Sequence, residues 1–467
     1  LPNNHADPEV RLAQLCQAIQ SVYASVFWRE ARTYVAGTPH QVDEQKMAIV
    51  IQQVVGKRYG DRFYPHMSGV AQSYNDYPIG KQKPEEGVAH VALGLGHIVV
   101  GGGSTLRFCP ASPTVLPQYA NAEAVLRGSQ REFWAVDLSH PDLPVTTDAE
   151  ASLKRHPLEV AQQDGPLGLA GSVYCEDDDV IRENLKLAGP RVVTFNNLLK
   201  WNAVPVSLAL SEILSLLRER IGAEVEIEFA LDMADWGRSL PKRAKRQVPR
   251  LYILQVRPMA QRELGAAPVD FDDVSDAALL CRTDMSLGHG SIETVQDIVY
   301  VTAHRTDPAM GRSVIERIDE INHRLAKEQR HYMLVGPGRW GSSDPYLGIS
   351  VHWPNISGVR VIVEQPMEGR HVEPSQGTHF FRNVTARRIG YLTVRDNAES
   401  WLDVGWLDEH EAVFEDELVR HVRLAEPIGV YLDGPRGRSV ISHERIDRGG
   451  PPPHRPQRTV EEPSNSG

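Results

Sequence analysis

Residues 224–231 read EVEIEFAL, with Glu224, Glu226 and Glu228 alternating with Val225, Ile227 and Phe229. Successive side chains on a strand point to opposite faces. One face of this segment is therefore apolar and the other is lined with carboxylates. Side chains two apart on a strand sit about 7 Å from each other. At that distance two carboxylates repel by about 0.6 kcal/mol in water and by about 2.4 kcal/mol at an effective dielectric near 20. A solvated face tolerates such a row as it stands, whereas in a cleft the row needs arginine, lysine or a divalent cation beside it.

The next strand-like segment offers those partners. In LYILQVRP, residues 251–258, Leu251, Ile253, Gln255 and Arg257 alternate onto one face. An antiparallel pairing of the two segments sets Gln255 and Arg257 beside Glu226 and Glu228. Carboxylates for Mg²⁺, a guanidinium for phosphate and an orienting amide are the inventory of phosphoryl transfer, in which positioning and charge neutralisation dominate. Read from spacing alone, a solvated hairpin face with a surface ion pair stands as the competing interpretation.

The chain is 467 residues long, 41% hydrophobic and 24% charged, which suits a soluble globular protein of two or three domains. Its formal net charge of −11 argues against broad nucleic-acid or anionic-membrane binding. Cys16, Cys109, Cys175 and Cys281 lie far apart and form no CxxC pair, so neither a disulfide framework nor a zinc site is expected, and a reducing cytoplasm fits. No apolar run reaches the roughly 20 residues of a membrane span.

Asp7 and Pro8 announce a long helix whose apolar stripe is Leu12, Leu15, Ile19, Val22 and Val26. MAIVIQQVV, residues 47–55, reads as a buried strand. The stretch 142–172 is polar enough to be read as an irregular surface excursion. A second helix is expected over 205–222, with Leu210, Ile213, Leu214, Leu217 and Ile221 facing inward and Gly222 closing it. A basic loop, 238–250, separates the two candidate site strands. We place a boundary near residue 268 and divide the chain into 1–267, a β-rich domain over 268–444, and a proline-rich, disordered tail over 445–467. Strands are expected at 297–302, 331–335, 359–364, 389–394 and 428–432, interrupted by one helix over 312–329.

VEIEFAL followed by LYILQVRP resembles the end of the nucleotide-binding domain of the pyruvate phosphate dikinase and phosphoenolpyruvate synthase family. Three further stretches agree in order: SVYASVFWREARTY (21–34), MAIVIQQVV, and the pair SGVAQSYNDYP (68–78) and ALGLGHIVVGGG (92–103). The resemblance covers roughly residues 8–260. It implies an α/β ATP-grasp fold that binds ATP with Mg²⁺. It also implies a role for each matching position. Glu226 and Glu228 match the acidic pair that holds the metal. Gln255 and Arg257 match the phosphate-facing, catalytic pair, and Gln52 matches the hinge glutamine at adenine. Gly94 and Gly96 match glycines that let backbone approach the nucleotide. His97 departs from the pattern, standing where the synthases usually carry glutamate. The family's upstream phosphate-clamping lobe has no counterpart before residue 8, so the chain is expected to be N-terminally incomplete.

Family members transfer the phosphoryl group through a histidine, and VTAHRTD (301–307) offers His304 as a weak echo of that segment. No pyruvate-binding barrel is expected after it, since a barrel needs about 250 residues. Gly336, Gly338 and Gly341 with Glu364 imitate a dinucleotide fingerprint, but proline, glycine and β-branched residues follow where that fingerprint needs a helix. In PSQGTHFFRN (374–383), His379 is either an acid, base or phosphoacceptor, or a histidine bonded within a β core. The expected activity is Mg-ATP-dependent phosphoryl transfer to an acceptor such as pyruvate or a protein. The alternative is a non-catalytic nucleotide-sensing module.

Overall fold

The computed structural model describes residues 1–28, 31–32, 47–146, 148, 150–233, 248–259, 274–302, 310–367, 376–387, 389–395 and 397–443. The 238–247 part of the basic loop, the boundary near 268, His304 and the tail 445–467 lie outside them.

Helix α1 spans Pro8–Ala24, and the Asp7 carboxylate accepts from the Glu9 amide at 2.9 Å, as a cap should. Its apolar stripe is not buried against the described residues: Leu12 and Val22 are exposed. The helix leans on the body through Gln14, whose amide donates to the Pro141 carbonyl at 2.8 Å.

The sheet that carries the glutamates has five strands, all antiparallel. They are β1 (Met67–Gln72), β2 (Val88–Ala92) and β3 (Leu106–Phe108), then, after helix α2 (Val206–Ile221), β4 (Val225–Asp232) and β5 (Arg250–Pro258). The order across the sheet is β5-β4-β1-β2-β3. Leu210 and Leu214 of α2 are buried with Ile227, Phe229 and Leu231 of β4 and Met67 and Ala71 of β1, so the apolar face predicted for EVEIEFAL is the face covered by the core. Gly222 closes α2 in the left-handed conformation. Ile221 at its end is exposed, not inward.

Two expectations fail nearby. MAIVIQQVV forms no strand and joins no sheet, and Val50 and Ile51 are 79% and 64% exposed. An apolar run supplies side chains for a core but not a ladder partner; this one reaches the sheet through a side chain, the Gln52 amide donating to the Leu254 carbonyl at 2.9 Å. The stretch 142–172 is not an irregular excursion. It contains a strand, Leu153–Pro157, and helices Leu158–Asp164 and Leu167–Ala170, which bury Leu158, Ala161, Leu167 and Leu169 in the same core as the glutamate sheet. Widely spaced leucines among polar residues conceal that burial in the sequence.

From residue 279 the chain builds one ten-stranded mixed sheet. Its strands are β6 (Leu279–Thr283), β7 (Ser286–Leu287) and β8 (His289–Val301). After helix α3 (Gly311–Lys327) come β9 (Tyr332–Pro337) and β10 (Val359–Gln365). After helix α4 (His379–Ala386) come β11 (Gly390–Thr393), β12 (Trp401–Leu402), β13 (Val419–Asp433) and β14 (Arg438–Ser442). The order is β7-β11-β10-β9-β8-β13-β14-β6-β12, with Ala412–Glu415 added beside β13. The run β8-β9-β10-β11 is parallel, and α3 and α4 lie in the connections that parallel strands require. All five expected strands and the expected helix are present. The glycine-rich segment after β9 runs into a short strand, Arg339–Trp340, and not into a helix, so it is no dinucleotide site.

Candidate nucleotide site

β4 and β5 pair in the predicted register, Glu226 opposite Arg257 and Glu228 opposite Gln255. A bulge follows. Phe229 pairs with Ile253, leaving Leu254 without a ladder partner, and the Leu254 carbonyl is the one that accepts from Gln52. The bulge therefore takes Ile253 off the Gln255–Arg257 face and sets it opposite buried Phe229. It also gives Gln52, matched by resemblance to an adenine hinge, a structural contact with the site strand.

The competing view, a solvated acidic face, does not hold. Glu226 is 4% exposed, while Glu228 keeps about a quarter of its side-chain surface. Arg257 Nε lies 2.9 Å from Glu226 Oε1 and its Nη2 3.2 Å from Glu228 Oε1. From the neighbouring strand, Gln72 Nε2 donates to Glu226 Oε2 at 2.7 Å. Burial pushes the Glu226 carboxyl above its ordinary range, against the pull of the Gln72 hydrogen bond and the Arg257 charge. Glu224, the third glutamate, stands just outside β4 and accepts from Ser73 Oγ at 2.5 Å.

What covers this face comes from the far half of the chain. Helix α4 is capped by Thr378, whose hydroxyl accepts from the Phe381 amide at 3.1 Å, and it buries Phe380, Phe381 and Val384. Its opposite side meets the carboxylates. Arg382 Nη2 donates to Glu228 Oε1 at 2.8 Å, and Arg382 Nε lies 3.0 Å from Glu226 Oε1. His379 precedes Arg382 by three residues, on the same helix face. Burial lowers the pKa of its imidazole, opposed by the charge of Glu228, while Arg257 and His97 add to the lowering.

His379 is thus helical and beside the acidic pair, not bonded within a β core. Gln376, just before α4, is buried and donates through Nε2 to Gln72 Oε1 at 2.7 Å and to Asp76 Oδ2 at 3.1 Å. Tyr77 packs into the core of the second sheet, edge-on to Phe381 with ring centroids 6.3 Å apart.

The remaining candidates divide. Gln255 is at its predicted register position and exposed. Gly94 is buried, with φ +84°, and a Cβ there would lie 2.7 Å from the Trp134 carbonyl; the close approach it permits in this structure is to Trp134. Gly96 caps the short helix His97–Val100. His97 sits edge-on to Trp134 and bonds Glu150 Oε1 at 2.9 Å, so a carboxylate is present beside the position where the resemblance expects one. Helix α4 and Arg382 were not anticipated. Thr378 as a cap, followed by Phe380, Phe381 and Val384 at helical spacing, is the signal that could have found them.

Residues 10–273 match the family model for the AMP/ATP-binding domain of pyruvate phosphate dikinase. The chain belongs to the pyruvate phosphate dikinase family. That domain is of the ATP-grasp type, and it gives this chain an AMP/ATP-binding region that includes every candidate site residue from Gln52 to Arg257. No curated protein matches the chain. Among the described residues no helix is long and apolar enough to cross a membrane.

The resemblance also implies Mg²⁺, and the donor set suits it. Glu226 and Glu228 bring one oxygen each to the same nitrogen, Arg257 Nη2, at 2.8 and 3.2 Å. Mg²⁺ is commonly held by one or two carboxylates together with substrate phosphates. Among the described residues no cluster of three or more His, Cys, Asp or Glu could hold a metal without such help.

Proposed function

We propose that this dikinase-family chain binds Mg-ATP against the acidic face of β4 and transfers a phosphoryl group to a second substrate, pyruvate or a protein group being the acceptors considered. The observation that carries this reading is the in-register pairing of buried Glu226 with Arg257, which also meets the partly exposed Glu228, under a helix that brings His379 and Arg382. A buried carboxylate such as Glu226 is costly unless balanced, and here it is balanced by groups that also suit a triphosphate. In this reading Glu226 and Glu228 hold Mg²⁺, which when bound offsets the phosphate charge. Arg257 and Gln255 orient the phosphates, Gln52 stands at the base, and Gly94 and Gly96 line the backbone approach. The His379 imidazole, whose pKa burial lowers, is placed to accept a proton from an attacking group. The division 1–267, 268–444 and 445–467 belongs to the same proposal. It is supported by one apolar core drawn from Tyr59–Met233 and a separate sheet drawn from Leu279–Ser442.

A second reading, a nucleotide sensor without turnover, is favoured by one feature: both carboxylates are already satisfied by two arginines. Calorimetric titration of Mg-ATP and a phosphate-release assay on the wild type and Glu228→Gln separate the two. Binding and turnover that both fall at least tenfold in the variant support the transferase. Binding that falls without any turnover in the wild type supports the sensor. Wild-type protein that binds no Mg-ATP overturns both.

A further inference from the structure

Two guanidinium groups compete for the same pair of oxygens. Glu226 Oε1 and Glu228 Oε1 each face Arg257 and Arg382. Two negative and two positive charges close this cluster as neutral. The two arginines are not equivalent. Arg257 is on the strand paired with β4, and its Nε donates to Glu226 with good geometry. Arg382 comes from α4, 154 residues further along the chain than Glu228. Its Nε is 3.0 Å from Glu226 Oε1 but off the line of a hydrogen bond, so that contact is an ion pair without the directional bond that Arg257 makes. A guanidinium N–H held off line by its carboxylate is a weaker bond than one met in line, and an oxyanion that meets it in line binds it better. Arg382 also keeps 20% of its side-chain surface exposed, so this contact is reached by solvent.

We propose, resting on the Mg-ATP reading above, that Arg382 and the divalent cation are mutually exclusive ligands of Glu226 and Glu228. When the cation takes the two carboxylates, Arg382 turns onto the phosphates. It is then a phosphate-binding residue supplied to the nucleotide site by the far half of the chain. The exchange is balanced in charge. Each carboxylate trades a guanidinium for a metal, and the phosphates, which carry the excess negative charge, gain the guanidinium. It also ties nucleotide occupancy to the seating of α4, because Arg382 is what α4 contributes to the carboxylates. A guanidinium suits the second role, since its planar fork matches phosphate oxygens in pairs.

The test uses the full chain and two probes. Mn²⁺ alone, followed by electron paramagnetic resonance, reports the carboxylates without nucleotide. Mg-ATP, followed by calorimetry, reports the complete site. Arg382→Gln is expected to bind Mn²⁺ at least tenfold more tightly and Mg-ATP at least tenfold more weakly. These opposite signs are what a merely structural arginine would not produce. Arg382→Lys, whose ammonium satisfies fewer oxygens at once, is expected to tighten Mn²⁺ binding and weaken Mg-ATP binding by a few fold each, and it carries the test if the glutamine variant does not fold. Unchanged or weaker Mn²⁺ binding in a folded variant overturns the exchange, as does unchanged Mg-ATP binding. Those failures leave the nucleotide reading standing provided the wild type binds Mg-ATP. A wild type that does not bind it defeats that reading itself.

Discussion

Gln376 and Gln72 meet side chain to side chain, 2.7 Å apart, across 304 residues of sequence. Gln72 spends its own amide on Glu226, so the contact continues without a break from the loop before α4 to the buried carboxylate. The two halves of the molecule are thereby joined through the candidate site. Replacing Gln376 by leucine strands the Gln72 carbonyl and removes a donor from Asp76. We expect a loss of about 1–3 kcal/mol in urea-induced unfolding, the usual cost of leaving buried polar groups unpaired. A change below about 0.5 kcal/mol would show that this seam is not closed in solution.

Glu364 on β10 is buried, accepts from the Trp340 amide at 3.0 Å and the Thr393 hydroxyl at 3.3 Å, and has its pKa pushed up to about 7 by burial. A carboxyl whose folded value lies above its ordinary 4.5 holds its proton longer in the folded chain than in the unfolded one. Its contribution is complete below about pH 4.5 and fades as pH rises through about 7. The span corresponds to a loss on the order of 3 kcal/mol. Glu364→Gln should flatten that decline in a series of melting temperatures from pH 5 to pH 8. Parallel curves for the two proteins would contradict the assignment.

Asp297 on β8 shows the opposite behaviour. Burial pushes its pKa up, but hydrogen bonds from His421, Arg423 and Arg330, at 2.8, 2.7 and 2.6 Å, more than reverse this and hold it at about 2. Its contribution is present above about pH 4 and is lost as pH falls toward 2. Asp297→Asn leaves two arginines facing a neutral amide. It should cost about 3–5 kcal/mol at pH 7, as breaking a buried ion pair does. Chemical denaturation measures it, and the variant's acid limb should be shallower than the wild type's.

Gly341 has φ +74°, and a Cβ built on it would lie 2.3 Å from the Phe380 ring. Phe380 belongs to α4, so Gly341→Ala pushes on the helix that carries Arg382. We expect a destabilisation of about 1–3 kcal/mol from strain and displaced packing. Amide exchange across 379–386 should be faster in the variant. Unchanged protection there would mean that the helix absorbs the methyl group without moving.

The strand pair was legible because its information lies in two neighbouring segments: period-two alternation fixes the faces, and an antiparallel pairing aligns Glu226 with Arg257 although residues 233–249 separate the two strands. The roof was not. The partners of Arg382 lie more than 150 residues away, and the eight residues of α4 are too few for a clear apolar period. The PSQGT lead-in also resembles a turn between strands. MAIVIQQVV misled in the other direction, since composition says which side chains favour burial but not whether a ladder is open to receive the backbone. The buried leucines of 153–170 were masked by the polar residues between them.

Strand β13 sits near the middle of the ten-stranded sheet, between β8 and β14, yet only ten residues of described chain follow its last residue, Asp433. During synthesis the glutamate sheet can assemble soon after residue 258 leaves the ribosome, whereas the larger sheet lacks its central member until residue 433 has emerged. At ordinary elongation rates that interval is roughly ten seconds or more. Until residue 382 has emerged and α4 has seated, Glu226 and Glu228 stand without Arg382, open to cations and nucleotide, so a ligand bound at that stage acts as a folding template around which the later half closes.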